Sequence, residues 1–267
     1  MCSLFLRVIA LATLLLCAKS VSGRELRVCA DPDNLPFSNR QEQGFENRIA
    51  RLIARDMHAQ VSYVWQRMGR GFVREFVDKN RCDVLIGVPA NFRQMLTSRA
   101  YYRSTYVFVV RRDARIKPAS LDDPALRAMK VGVQALDEQY VPPGEALARR
   151  GLQNSIVPFY GVGQNASAIV SAVLHGEVDA ALVWGPLAGY LSSKQGKTLQ
   201  IVPVKPEMDP PGVPYTFQIA MGVRNGNVAL QQELNKILLR RKSEIERLLS
   251  AYGVPQLDMP SASKGAA

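Results

Sequence analysis

Polar side chains that could bind a ligand stand directly after the first predicted strand. Asp31 and Asn34 follow the apolar run of residues 26–30, and Glu46 lies near the start of the next predicted helix. At a strand end such groups can face a ligand cleft, although Asp and Asn are equally typical of turns. Glu46 could bind a cation or interact only with the helix dipole. These three residues are therefore candidates for binding, and the structural alternatives stay open.

The chain lacks the residue patterns that catalysis or metal binding would need. Its two histidines, His58 and His175, stand at predicted helix ends, where a cation complements the helix dipole. No nucleophile motif, paired carboxylates or glycine-rich phosphate loop accompanies them. We therefore expect no catalytic residue, no metal site, no cofactor and no enzymatic activity.

Aromatic side chains are concentrated around the predicted strand ends and loops. Tyr and Trp combine apolar area with a hydrogen-bonding group, which small-ligand sites and protein anchors both use. Rings inside strands or helices can instead belong to the core. The aromatic candidates for a cleft wall are Phe37, Phe45, Phe72, Tyr101, Tyr102, Tyr160, Trp184 and Tyr190. Further candidates from the same regions are Arg70, Pro89, Asn91, Gln134 and Pro186.

Short runs rich in valine and isoleucine alternate with segments of helical period, which is typical of a mostly parallel sheet with crossover helices. We predict strands over residues 26–30, 61–65, 83–89, 105–111, 130–134, 155–160, 179–184, 199–204 and 217–224. We predict helices near residues 49–57, 72–79, 165–175 and 230–252. Residues 206–214 are rich in proline, so no regular structure is predicted there.

Two such series joined by two connecting strands predict an α/β protein with two lobes. The first lobe is discontinuous and comprises residues 24–110 and 217–267, whereas residues 111–216 form the second. In open parallel sheets, ligands bind beyond the carboxyl ends of the strands. The cleft between the lobes is therefore the predicted working part of the molecule.

Residues 1–23 have the pattern of a cleavable secretory signal peptide, so we expect export to the periplasm. Their apolar run is shorter than the ~20 residues that span a bilayer, and no membrane span is predicted.

Cleavage removes Arg7 and Lys19, which leaves 32 basic and 23 acidic residues and changes the formal charge from +11 to +9. This charge favours an acidic protein partner over nucleic acid, although a basic surface without a specific partner is the alternative.

Two cysteines, Cys29 and Cys82, remain after cleavage. In an oxidising compartment one disulfide between them is the natural prediction. Two buried free thiols are the alternative.

Several motifs, taken in order, resemble the type II periplasmic solute-binding proteins. They are RVCADPDNLPFSN (27–39), GFENRIA (44–50), CDVLIGVPA (82–90), YYRSTYVFV (101–109) and VWGPLAGY (183–190). Within that family the chain is most similar to the branch associated with quinoprotein dehydrogenases. This branch consists of the periplasmic J accessory proteins found beside PQQ methanol dehydrogenases.

The resemblance implies a type II periplasmic binding protein fold with two crossover strands and an interlobe cleft. It also implies a periplasmic accessory protein of a PQQ-dependent methanol or alcohol dehydrogenase. Such a protein would bind the dehydrogenase or its c-type cytochrome and aid maturation, activation or electron transfer. The alternative is the solute-binding component of an ABC importer.

The groups that hold an amino acid in the wider family are missing from this sequence. Gln94 stands where an arginine usually clamps the ligand carboxylate, and Ala135 begins the loop that usually cradles an anion. The strand that ends in Trp184 lacks the aspartate for the ligand ammonium. We therefore expect any small-molecule ligand to be something other than an amino acid.

Overall fold

The computed structural model describes residues 23–67, 72–136, 139–161, 164–196, 198–210 and 212–260. Residues 1–22 of the predicted signal peptide lie outside these ranges, and so does Arg70. Among the helices within the ranges, none combines the length and the apolar character that crossing a membrane requires.

The longer strands coincide with the runs of β-branched and aromatic residues from which we predicted them. In chain order the strands are β1 (Arg24–Ala30), β2 (Asp33–Asn34), β3 (Ser38–Asn39), β4 (Ala59–Trp65), β5 (Val84–Pro89), β6 (Leu96–Thr97), β7 (Tyr102–Arg111), β8 (Val131–Leu136), β9 (Gln139–Tyr140), β10 (Ile156–Tyr160), β11 (Ala180–Trp184), β12 (Leu199–Pro203), β13 (Met208–Asp209), β14 (Val213–Pro214) and β15 (Thr216–Val223). β13 and β14 form a hairpin, so the expectation of irregular structure in the proline-rich segment was wrong.

The α-helices are α1 (Phe45–Asp56), α2 (Pro142–Arg149), α3 (Gln164–His175), α4 (Gly185–Ser193), α5 (Val228–Arg240) and α6 (Lys242–Ala251). The helix predicted near residues 72–79 is a π-helical turn, Val73–Asp78, and short 3-10 turns occupy Pro124–Ala128 and Gln153–Ser155. The long helix predicted at the C-terminal end is divided at Arg241 into α5 and α6.

The longer strands form one mixed sheet in the order β10-β8-β11-β7-β15-β5-β1-β4. β1 pairs in parallel with β4 and β5, and β8 pairs in parallel with β10 and β11. The joining strands β7 and β15 run antiparallel to each other and to their other neighbours. The predicted α/β fold class is confirmed, with a mixed sheet in place of a mostly parallel one.

β7 belongs to both halves of this sheet. Its residues 102–105 pair with β15, whereas residues 106–111 pair with β11 and β12. The chain therefore passes from the first half into the second within one continuous strand. The lobe boundaries at residues 110 and 217 stay a prediction.

Each half of the sheet has hydrophobic cores of its own. In the first half, α1, α5 and α6 cover one face, where Phe45 and Leu234 are buried. The opposite face buries Val77 and the two cysteines. In the second half, α2 covers one face with Leu147, and α3 and α4 cover the other, where Val173 is buried. Burial of these apolar surfaces holds the helices against the sheet.

Cys29 in β1 and Cys82 before β5 form a disulfide bond, so the predicted pairing is confirmed. Both residues are only 1% exposed. The bond ties the first strand to the loop before the third long strand, across a sequence separation of 53 residues that includes α1 and β4.

Replacing Cys29 and Cys82 together by alanine is expected to lower the free energy of unfolding by about 4 kcal/mol. Without the disulfide the unfolded chain contains no covalently closed loop, so its conformational entropy is higher. Urea unfolding of the oxidised protein and of the variant measures this difference. In reducing buffer the two proteins should unfold at nearly the same urea concentration. A difference that persists after reduction would instead indicate lost packing of the sulfur atoms.

Candidate functional site

The loop after β1 folds into the small β2–β3 hairpin at the carboxyl end of the sheet. Asp31 is buried, and its Oδ1 accepts a hydrogen bond from the Asp33 amide at 2.9 Å. The Ser38 hydroxyl donates to the Asp31 carbonyl oxygen at 2.8 Å, and the Asn34 carbonyl accepts the Phe37 amide at 2.9 Å. Asp31 and Asn34 therefore shape this turn, and they do so at the strand end where we predicted them.

Glu46 lies in the first turn of α1, and its side chain is buried against a bulge in β5. The bulge is at Gly87, which has φ +86° where the pairing with β15 shifts between Ala220 and Met221. The positive φ favours glycine, and a Cβ at Gly87 would lie 2.0 Å from Glu46 Oε1, so a larger residue would displace the Glu46 carboxyl group. Burial, and secondly the charge of Asp31, raises the pKa of Glu46 well above its ordinary value.

A line of aromatic rings continues from this acidic group into the core. The ring centroids are 5.3 Å apart for Phe37 and Phe45, 6.3 Å for Phe45 and Tyr102, and 5.1 Å for Tyr102 and Tyr101. Phe45 is 0% exposed and Tyr102 is 4% exposed, so these two rings present almost no surface to a ligand in this structure. The buried hydroxyl of Tyr101 has no hydrogen-bond partner among the described atoms.

The candidates of the second half lie near the ends of β8, β10 and β11. Gln134 in β8 donates its amide to the Gly161 carbonyl oxygen at 3.0 Å, which ties β8 to the residue after β10. Tyr160, at the end of β10, is 63% exposed. Pro186 is buried in the first turn of α4. Of these three side chains, Tyr160 is the one most available to a partner.

Trp184 and Tyr190 lie where the two halves meet. The Trp184 ring packs 5.2 Å from Tyr106 and 5.8 Å from Phe217, measured between centroids. Tyr190 on α4 stacks on Tyr252, which follows α6, with centroids 6.0 Å apart. Both aromatic side chains thus join elements of the second half to elements of the first.

Phe72, Pro89 and Asn91 lie along the first half, on or near β5. Phe72 stacks on Phe76 at 4.9 Å and is 8% exposed in the core beside the disulfide, so its ring supports the sheet. Pro89 ends β5, and Asn91 is exposed immediately after it. Asn91 is therefore the member of this group that solvent and a ligand can reach.

A cavity of about 450 Å³ lies where the end of β5 meets the connecting strands. Its lining includes Ala90, Asn91, Arg103, Glu207, Met208, Pro214, Thr216, Phe217 and Gln218. Of these, Asn91 alone was among the residues that we predicted for the cleft. The sequence did contain one signal for this cavity, the polar Gln218 within the mostly apolar strand β15. A polar residue in a connecting strand can face the cleft.

The charged groups in this cavity neutralise each other. The Arg103 guanidinium forms an ion pair with Glu207 and also donates to the Asp258 carbonyl oxygen at 3.2 Å. The remaining polar side chains, Asn91 and Gln218 among them, are neutral hydrogen-bonding groups. This lining suits an uncharged polar ligand or a peptide segment better than a free anion.

One wall of the cavity belongs to the β13–β14 hairpin, which an ion-pair network fixes to α2. The Asp209 carboxylate is buried and accepts hydrogen bonds from Arg149 at 2.8 Å and from Arg150 at 2.5 Å. Within the described residues, no group of three His, Cys, Asp or Glu side chains could hold a metal ion. The site offers hydrogen-bonding and apolar surface for binding.

A two-half α/β sheet joined by two strands, with a cavity beside the joining strands, is an arrangement suited to binding a ligand between the halves. Residues 26–254 match the family described as bacterial extracellular solute-binding proteins, family 3, and the chain belongs to that family.

Named relatives narrow the branch within that family. Protein MoxJ of Methylorubrum extorquens is 33% identical over 252 residues, which cover 87% of this chain and 81% of MoxJ. The crystal structure of MxaJ from Methlophaga aminisulfidivorans matches with a TM-score of 0.75 at 29% identity, covering 87% of this chain and 100% of that one. The periplasmic binding protein XoxJ from Methylobacterium extorquens matches with a TM-score of 0.70 at 34% identity, covering 88% and 100%. The predicted type II fold and its MxaJ- and XoxJ-like branch are thus confirmed.

The raised pKa of Glu46 predicts how stability changes with pH. A carboxyl group whose pKa is raised by folding contributes stability below its ordinary pKa, and this contribution is lost as the pH rises through the folded value. The Glu46→Gln variant cannot lose a proton there. We expect its free energy of unfolding to fall less than that of the parent protein between about pH 5 and pH 8. Urea unfolding at several pH values measures both slopes.

Glu233→Gln is the matched control for this measurement. The hydrogen bond from Arg24 lowers the pKa of Glu233, so its contribution is lost only as the pH falls below the ordinary value. This variant should keep the parent slope above about pH 5. Equal slopes in the parent and Glu46→Gln proteins would mean that Glu46 already ionises normally in the fold.

Proposed function

We propose that this protein is a periplasmic accessory protein of a PQQ-dependent methanol or alcohol dehydrogenase. The observation that carries the proposal is similarity to MoxJ, MxaJ and XoxJ over 87% to 88% of the chain. In this proposal residues 1–23 direct export and are removed. Residues 24–110 with 217–267, and residues 111–216, then form the two lobes of a binding protein.

The partner we propose is the dehydrogenase itself or its c-type cytochrome, with an acidic surface. The full chain has a formal charge of +11, and the chain after signal removal has +9 by the count above. Such a charge raises the rate at which an acidic protein is encountered. The accessory protein needs no catalytic group for this role, since it acts by holding a segment of its partner during maturation, activation or electron transfer.

The cleft supports a peptide segment better than an amino acid. Its guanidinium, Arg103, is already paired with Glu207, so it is not free to clamp a ligand carboxylate. Gln94 is exposed and neutral, and the Trp184 ring is packed against Tyr106 and Phe217. Neutral amides at Asn91 and Gln218 can pair with the N–H and C=O groups of a bound backbone. We propose these groups, with the exposed Tyr160, as the recognition surface.

Deleting the gene tests the role of the protein. We expect dye-linked methanol dehydrogenase activity in periplasmic extracts to fall well below the parental level, and the wild-type gene supplied in trans should restore it. Unchanged activity in the deletion strain would contradict the proposal.

A pair of matched variants tests the cleft. Gln218→Arg places a bulky charge in the cavity, whereas Gln153→Arg makes the same change at an exposed position in a 3-10 turn of the second half. We expect Gln218→Arg to lose complementation and to lose capture of the dehydrogenase or cytochrome from periplasm. Gln153→Arg should retain both. Equal behaviour of the two variants would place recognition outside the cleft.

Delivery of a small solute to an ABC importer is the second candidate, because a cavity of about 450 Å³ is large enough for a small ligand. A thermal-shift screen with uncharged solutes separates the two functions. A true ligand at 100 times its dissociation constant stabilises the protein by about 2.7 kcal/mol. A saturable ligand together with normal dehydrogenase activity in the deletion strain would favour transport.

A further inference from the structure

β4 is the last strand on one side of the sheet, and its outer edge has no strand beside it in the described parts of the chain. β4 pairs with β1 alone. Each of its seven residues is at least partly exposed. The backbone of this edge is therefore accessible to solvent and to another polypeptide.

The backbone groups that face outward can be assigned from one hydrogen bond. The amide of Gln66, just after β4, donates to the Ala30 carbonyl oxygen of β1 at 3.0 Å. Successive residues of a strand direct their N–H and C=O groups to opposite sides. The N–H and C=O groups of Val61, Tyr63 and Trp65 therefore point away from β1. This edge offers three consecutive sites for a new ladder of hydrogen bonds.

The opposite end of the sheet is protected, whereas the β4 edge is not. There the Gly161 amide donates to the Ala135 carbonyl oxygen of β8 at 3.1 Å, so by the same alternation the nitrogen of Pro158 in β10 faces outward. Proline has no N–H to donate, and proteins commonly use proline or charged residues to prevent edge pairing. β4 contains neither a proline nor a charged residue.

A row of arginines lies beside the open edge. Arg48, Arg51 and Arg55 are three and four positions apart, so they share one side of α1. With Ala59, Gln60 and Val61 of β4 they line a surface cavity of about 720 Å³. A strand added next to β4 would direct every second side chain toward this row.

The arginine row keeps donors available. Arg51 lies 2.6 Å from Glu42, and Arg55 lies 3.9 Å from Glu244 with its side chain 73% exposed. Each guanidinium has five N–H donors, more than these contacts use. Three arginines against two glutamates leave the cavity with a positive charge.

We propose that the β4 edge and the arginine row bind an extended, acidic segment of a partner protein, which joins the sheet as an additional strand. Backbone hydrogen bonds give the affinity, and acidic side chains at alternate positions pair with the arginines. A second copy of this chain is a poorer occupant, because both copies are strongly basic and would repel each other. The inference does not rest on the proposed function, since the edge lies on the flank of the first half.

The probe is a fluorescein-labelled peptide of eight residues that alternates glutamate with valine. Fluorescence anisotropy with the mature protein, residues 24–267, should show saturable binding. A peptide that alternates lysine with valine should not bind. In a third peptide, every second backbone nitrogen of the glutamate peptide is methylated, at the positions whose N–H groups would donate to β4. This peptide should bind about tenfold more weakly than the unmethylated one. Equal binding of the methylated and unmethylated peptides would overturn strand addition.

Variants of the protein complete the test. Val61→Pro removes an outward-facing donor without touching the bonds to β1, and Arg55→Glu reverses one charge of the row. Each should weaken binding about tenfold, with circular dichroism unchanged. Arg127→Glu makes the same charge change at an exposed position in the second half and should bind like the parent. Equal weakening by Arg55→Glu and Arg127→Glu, or no binding by the parent, would overturn the proposal. So would a dimer in sedimentation that Val61→Pro abolishes.

Discussion

The backbone hydrogen bonds of β7 hold the two halves of the molecule in one sheet. The strand changes partners after Thr105, from β15 to β11 and β12, so neither half is complete without it. The segment after α6 adds to this junction, because the Leu257 amide donates to the Arg103 carbonyl oxygen and the Ser104 hydroxyl donates to the Pro255 carbonyl oxygen. A Cβ at Gly189 would lie 1.8 Å from the Gly253 carbonyl oxygen, so α4 touches this segment backbone to backbone. These contacts fix the positions of the strands that line the cavity at the junction.

The longer strands could be predicted from sequence because each is a short apolar run with turn residues around it. Two helices could not. α4 is buried at Gly185 to Gly189 and at Ser192, so apolar and small residues surround it and no 3.6-residue period is visible. α2 begins with two prolines, which the first turn of a helix tolerates but which also mark turns. The bulge at Gly87 is a third case, because only the pairing with β15 shows that an extra residue is present.

The residues of the candidate site also fall into two groups, those that local sequence can predict and those that it cannot. Asp31 and Asn91 could be proposed because local sequence shows where a strand ends. The burial of Phe45 and Tyr102 could not, because it depends on α5 and α6, which come more than a hundred residues later in the chain. The ion pair between Arg103 and Glu207 joins positions 104 residues apart. No local pattern in one sequence reveals such a contact.

The positive charge and the ligand cavity lie in different parts of this molecule, and this arrangement affects how a partner is bound. The cleft cavity contains a self-neutralised ion pair and amide groups, whereas the positive charge lies mainly on exposed arginines and lysines elsewhere. Exposed charges act over about a Debye length and mainly set the rate of encounter, while the neutral hydrogen-bonding groups of the cavity set the choice of partner after contact. A transport protein for a charged solute needs its charge inside the cleft, at the ligand. A protein with a positively charged surface and a neutral cleft is better suited to attract an acidic macromolecule and then to bind an uncharged segment of it.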